Sequence, residues 1–287
     1  MRCLQIVLGL FVAMFLACSS QDSSTPAYVK EVERLQKAAK KGDKEAQFDL
    51  GARYMDGDGV QGDYKKALEW HQKAADKGHG LAQISLAGMY YHGTGVPQDH
   101  RKANEWYQKA AASLQKAAEQ GDPGAQSGLA QLYFDGRGVS EDHRKADEWR
   151  QKLAIAAEKG DPRAQFSLGI RYISTSGGVP RDEGKAFEWF QKAANQGHRF
   201  AQYMLANLYL YYGGSGGVPQ DYQKAFEWYQ IAAGQGLGPA QYELGKMYCE
   251  GIGVRRDLDK GCSLLGPIAE YDRNAVDDYK KHCVVRP

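Results

Sequence analysis

Small and aromatic residues recur along this chain at intervals of four. The pattern A-Q-x-x-L-[GA]-x-x-Y begins at Ala46, Ala82, Ala125, Ala164, Ala201 and Ala240, and every copy matches at all the fixed positions. Its leucines are Leu50, Leu86, Leu129, Leu168, Leu205 and Leu244, and its tyrosines Tyr54, Tyr90, Tyr133, Tyr172, Tyr209 and Tyr248. At about 100° per residue, Ala, Leu and Tyr fall on one stripe of a helix. The Gly or Ala after each Leu lets a second backbone come close. Each first helix then meets a G-x-G-V or S-G-G-V turn, as at residues 57–60 and 215–218, where glycine takes positive φ without steric cost.

Three residues past each Val stands an Asp: Asp63, Asp99, Asp142, Asp182, Asp221 and Asp257. There a carboxylate accepts from free backbone N–H groups, as the N-cap of a second helix. That helix reads D-x-x-K-[AG]-x-E-W in its first five copies and ends at Gly78, Gly121, Gly160, Gly197 and Gly236. The pattern predicts an all-α chain, an α/α superhelical solenoid of about six helix-turn-helix repeats. The repeats start near residues 43, 79, 122, 161, 198 and 237, within a body of residues 28–287. Segments 28–41 and 273–284 read as capping helices.

All five tryptophans, Trp70, Trp106, Trp149, Trp189 and Trp228, hold one position of the second helix. Locked to the repeat phase, they are expected as core knobs between helices; a carbohydrate-stacking array is the alternative. Glu69, Glu105, Glu148 and Glu188 stand four residues before Lys73, Lys109, Lys152 and Lys192. Such pairs on an exposed helix face contribute about 0.3 kcal/mol each. The array is also uneven. Q-K-A-A at 108–111 is echoed at 115–118, and seven residues are about two turns, so that helix lengthens without rotating its buried face. The third repeat adds residues around 153–157, and the fourth and fifth lengthen their turns at 174–176 and 210–214.

Together A-Q-x-x-L-G-x-x-Y, G-x-G-V, D-x-x-K-A and W-x-x-K-A-A-x-x-G resemble the Sel-1-like repeat, a relative of the tetratricopeptide repeat, over roughly residues 43 to 272. The resemblance implies a right-handed superhelix of antiparallel helix pairs. It also implies a non-enzymatic scaffold or adaptor for a protein or peptide partner; bacterial members are linked to envelope assembly, polysaccharide export, signalling and host contact. Positions three, six and ten after each Ala lie opposite the buried stripe and are the expected partner surface. They are polar in the first repeat (Asp49, Ala52, Asp56) and the sixth (Glu243, Lys246, Glu250). Repeats four and five place Ile170, Met204, Asn207 and Tyr211 there, with Tyr212 next, and an apolar centre with polar flanks is the anatomy of an interface. The alternative is that these side chains pack against the longer loops of their own repeats.

The remaining residues narrow the chemistry. With 43% apolar and 25% charged residues the chain can bury a core, and its net charge of +2 includes no run of Lys or Arg. No nucleic-acid partner is expected. Residues 4–17 form an apolar stretch after Arg2, shorter than the ~20 residues of a membrane span, so residues 1–17 read as a signal peptide. Phe15-Leu16-Ala17-Cys18 resembles a lipobox, which implies a lipid on Cys18, a Ser-rich tether over residues 18–27 and membrane contact through that lipid alone. Ser19 points to the outer membrane, facing the periplasm. Ordinary cleavage near residues 17–19, giving a soluble periplasmic or secreted protein, is the alternative.

No cofactor or metal is expected. The seven histidines lack metal spacing, and His100 and His143 share a surface position with Tyr64 and Tyr222. Residues 178–185 have the wrong spacing for a phosphate loop, and Asp56-Gly57-Asp58 lacks further calcium ligands. Ser113-Leu114-Gln115-Lys116 matches S-x-x-K of penicillin-recognising enzymes. With the activity proposed for cysteine-rich relatives, this keeps a β-lactam-interacting hydrolase as an alternative, although S-D-N and K-T-G are absent. A structural envelope, secretion-assembly or host-interaction factor is a further alternative. Of the body's cysteines, Cys249 and Cys262 hold facing helix positions and are the first choice for a disulfide in an oxidising compartment. Cys262 with Cys283 is the second, and buried free thiols remain open.

Overall fold

The computed structural model describes residues 27–284, apart from residues 59, 175–179, 214–216 and 271–272. The expected signal peptide, Cys18 and nearly all of the tether lie outside the described residues, as do several inserted turn residues. Helix α1 (Ala27–Lys40) precedes six antiparallel pairs. These are α2 (Lys44–Asp56) with α3 (Tyr64–Asp76), α4 (Gly80–His92) with α5 (His100–Glu119), and α6 (Pro123–Asp135) with α7 (His143–Glu158). They continue with α8 (Pro162–Ile173) and α9 (Glu183–Asn195), α10 (Arg199–Tyr211) and α11 (Tyr222–Gly234), and α12 (Gly238–Glu250) and α13 (Leu258–Ala269). A short α14 (Arg273–Tyr279) and a π-helical turn (Lys280–Val284) close the chain, and no strand occurs among the described residues. The all-α solenoid of six pairs is as expected, and the duplicated Q-K-A-A extends α5 as one continuous helix of 20 residues.

The repeat works through local bonds. Every second helix is capped by its Asp, whose side chain accepts from the backbone N–H of Lys66, Lys102, Lys145, Lys185, Lys224 or Lys260. The ammonium of that same lysine stands 5.1–5.6 Å from the centre of the repeat tyrosine's ring, in all six copies. The glutamine of A-Q ties neighbouring repeats: its Nε2 donates to the carbonyl of an alanine eight residues earlier, at 2.9–3.2 Å, from Gln47 through Gln241. Gly78, Gly121, Gly160, Gly197 and Gly236 all take the positive φ that ends a second helix.

Three expectations need correction. Only Trp149 is buried; the other tryptophans are half-buried, and the true core knob is the residue after them, as with His71, Tyr107, Phe190 and Tyr229. At Gly51 and Gly169 the small residue after Leu receives that knob, whereas at Gly245 the backbone of Gly261 does come close as well. A Cβ on Gly51 would lie 2.6 Å from the His71 ring, and one on Gly169 2.5 Å from Phe190. The four lysines expected to pair with glutamates stand 3.9–4.1 Å over the indole rings of Trp70, Trp106, Trp149 and Trp189. Three residues apart on a helix, the cation shields the exposed aromatic face.

The ends of the array meet. Val32 of α1 and Val60 share one buried cluster with Ile268 of α13 and Ala275 of α14. Arg199 of α10 donates to Glu31 of α1 at 3.4 Å, across 168 residues of chain.

Candidate functional site

First helices α4, α6 and α8 also touch one another, which lines them up on one face of the array. Along that face lies a groove of about 500 Å³. It is lined by the expected surface positions of repeats three and four, Gly128, Gln131, Ser167, Ile170 and Ser174. Leu81, Ile84 and Phe166 add apolar surface, and Arg163, Arg171 and His198 add cations or potential cations. Small side chains on α6 (Gly124, Ser127, Gly128) leave the space open.

Two of the basic groups are accounted for internally. Arg163 is paired with Asp122 at 2.5 Å. His198 caps α10, its Nδ1 accepting from the Ala201 N–H at 3.2 Å, and stacks on Phe166 at 4.6 Å between centroids. Burial, then the nearby Arg163 and Arg199, push the His198 imidazole below its ordinary pKa, so it sits in the groove neutral. Arg171 differs. It is half-buried, makes no hydrogen bond or ion pair among the described residues, and is pushed down to about 10 by burial and by the neighbouring Arg150. Arg150 is itself held by Asp147 at 2.6 Å. The groove therefore presents, beside apolar surface, a cation without an ion pair among the described residues, with Asp147 acting on it only at longer range.

Of the expected partner residues only Ile170, 38% exposed, lines this groove. Asn207 accepts from the Tyr229 hydroxyl at 2.5 Å, Tyr211 donates to Glu243 of the next repeat at 2.8 Å, and Met204 packs against the core between them. Tyr212 packs on that core under the Arg181 guanidinium, 5.6 Å from its ring centre. Tyr211 and Tyr212 join repeat five to its neighbours and Asn207 bonds within repeat five, while Tyr211 stays 56% exposed, so the expected residues are divided between this seam and the open groove. The sequence reading missed Phe166, Arg171 and His198. One signal was present: phenylalanine follows the repeat glutamine only at Phe48 and Phe166, and in both cases the next repeat is capped by histidine, His79 or His198. Phe48 and His79 also stack at 4.6 Å.

Ser113 and Lys116 line a separate cavity of about 880 Å³ with Lys44, His79, Asp122 and Arg163. No hydrogen bond joins that serine to that lysine among the described residues. Cys262 is bonded to Cys283 and Cys249 is a free buried thiol, which corrects the first-choice pairing of Cys249 with Cys262. The reason is tertiary: the terminal π-turn folds back and brings Cys283 alongside α13. No described helix is long and apolar enough to cross a membrane.

The family model for the Sel1 repeat matches residues 44–79, 80–113, 114–122, 123–161, 162–198, 199–237 and 238–269. The chain belongs to the Sel1 repeat family. The short match at 114–122 falls on the duplicated end of α5, so six structural repeats underlie the seven matched segments. The chain is similar to a protective antigen of uropathogenic Escherichia coli with an SLR fold, 34% identical over 87% of this chain and 51% of the other, TM-score 0.47. It thus spans about half the length of that antigen. It is also similar to a Sel1 repeat protein from Oxalobacter formigenes, 32% identical over 94% of this chain and 84% of the other, TM-score 0.49. No curated protein matches the chain. Sel1 repeats are in general surfaces for binding other proteins.

Proposed function

We propose that this Sel1 repeat protein is a non-enzymatic scaffold, held at the cell envelope by a lipid on Cys18, that takes a segment of a protein partner along the face of α4, α6 and α8. The observation that carries this reading is the groove in which Ile170 and Phe166 lie beside Arg171, a cation without an ion pair among the described residues. Apolar surface desolvates and anchors, while a half-buried charge selects a partner carrying the opposite one. The envelope part of the reading is supported by residues 15–18 and the Ser-rich stretch after them.

A photo-crosslinking side chain placed at Ile170, with a control at the exposed Glu148 of α7, tests the groove in living cells. A discrete protein adduct is expected from position 170 alone, and Arg171→Glu should reduce it about tenfold. Equal adduct patterns from both positions would overturn the assignment. Cys18→Ala is expected to move the chain from the membrane fraction to the soluble one; unchanged fractionation would remove the anchor.

A further inference from the structure

Three cysteines from different elements converge where the array ends. The Sγ atoms of Cys249 on α12, Cys262 on α13 and Cys283 in the π-turn all lie within 4.8 Å of one another. Cys262 and Cys283 are bonded, while Cys249 keeps its thiol and is 1% exposed. Space for that thiol is made by Gly261, which stands where the five earlier repeats have Ala67, Ala103, Ala146, Ala186 and Ala225. A Cβ on Gly261 would lie 2.3 Å from the Cys249 Sγ. A third sulfur is thus seated against a disulfide that it does not join.

We infer that this cluster is a thiol–disulfide exchange site, in which Cys249 attacks Cys262 and releases Cys283 as a thiol that forms a mixed disulfide with an external disulfide compound. Cys249 loses its proton to solvent, and its thiolate pair forms the bond to the Cys262 Sγ. The Cys262–Cys283 bond breaks, and its pair leaves on the Cys283 Sγ. That thiolate then attacks an external disulfide RS–SR, forming Cys283–S–SR and expelling RS⁻, so disulfides are conserved and no separate oxidant is consumed.

Cys262 is the sulfur attacked because it sits within α13, packed against α12, whereas Cys283 is partly exposed in the π-turn, where an external disulfide can reach it. The turn's own ties to α12 are modest: Lys281 and His282 each approach Glu250 at 3.7 Å. Burial, with Glu250 and Asp278 adding to it and Arg256 opposing, pushes the Cys249 thiol above its ordinary pKa. Thiolate is therefore scarce at neutral pH, so attack is slow there and exchange quickens as pH rises.

The test incubates the full chain with oxidised glutathione, blocks remaining thiols in acid with N-ethylmaleimide, and maps each cysteine by peptide mass spectrometry. Glutathione on Cys283 together with a Cys249–Cys262 bond is expected, forming about tenfold faster per pH unit below the thiol pKa. Cys249→Ser should lower the Cys283 adduct about 100-fold. Glutathione on Cys249, or an unmodified Cys283 in the unsubstituted chain, overturns the inference. Cys283→Ser keeps the test independent of whether Cys249→Ser folds: oxidised glutathione should convert it to a Cys249–Cys262 bond, and two thiols persisting there would equally overturn the inference.

Discussion

The first repeat and the α9–α12 region share one backbone plan and differ in what fills it. From α9 to α12 a single core runs through Phe190, Leu205, Leu208, Tyr209, Tyr229 and Met247. Around α2 to α4 the core is divided into small clusters, one of Ala39, Ala46 and Leu50 and another of Ala74, Ala75, Ala82 and Leu86. The knob after tryptophan is Phe190 or Tyr229 in the later repeats but His71 in the first and Arg150 in the third. The glutamine ladder differs likewise. Gln165 and Gln202 each accept a second bond through Oε1, from Gln196 at 2.8 Å and Gln235 at 2.7 Å, whereas the Oε1 atoms of Gln47, Gln83 and Gln126 are buried without a partner. Caps and interrepeat bonds therefore suffice to form the hairpin stack. Core content then sets how firmly each part of it is held.

The largest effect that would sharpen this contrast is Phe190→Ala. It removes a fully buried ring from the continuous core, and urea denaturation should show a loss of about 3–5 kcal/mol. A shift as small as that of an exposed substitution would break the comparison. Next comes acid. His71 is buried 1% exposed in the first repeat, and burial first, then His79, lowers it from its ordinary 6.5 to about 4. Between those values the unfolded chain binds the extra proton, so stability present above about pH 6.5 is lost as pH falls towards 4, by about 3 kcal/mol in total. His71→Phe copies the Gly169–Phe190 pair onto Gly51 and should abolish this His71 contribution, read as the difference between urea midpoints at pH 7 and pH 4.5. An unchanged pH dependence would show that His71 is not its source. The smallest effect is that of Gln235→Leu, which leaves the Gln202 Oε1 as bare as its counterparts in the first three repeats and should cost about 1 kcal/mol.

Most of the repeat was legible in residue order. The Asp caps, the glycine stops and the Ala-Leu stripe are local devices, each satisfying a helix end or a 3.6-residue period within a few neighbours. The tryptophans misled because phase-locking shows only that a residue has the same place in each repeat, and that place proved to be a half-covered seam with a lysine above it. Part of the candidate site was readable too. Ile170 was placed on the partner face, but Arg171 gave no sign, since its lack of an ion pair among the described residues shows only in space. Met204 and Asn207 are half-buried because later helices lie against them, as Tyr229 does against Asn207, whereas Tyr211 stays 56% exposed while bonded to Glu243.

Periodicity and capping by themselves determined that this chain makes paired helices and where nearly every helix begins and ends, because those choices are settled by bonds among residues only a few positions apart. Tertiary structure alone decided that the two ends meet through Val32 and Ile268, that Cys283 and not Cys249 bonds Cys262, and that one groove stays open beside Arg171. The meeting of the ends depends on small rotations summed over successive repeats, as with Glu31 and Arg199, and the disulfide and the groove on contacts between separate helices, which no local pattern carries.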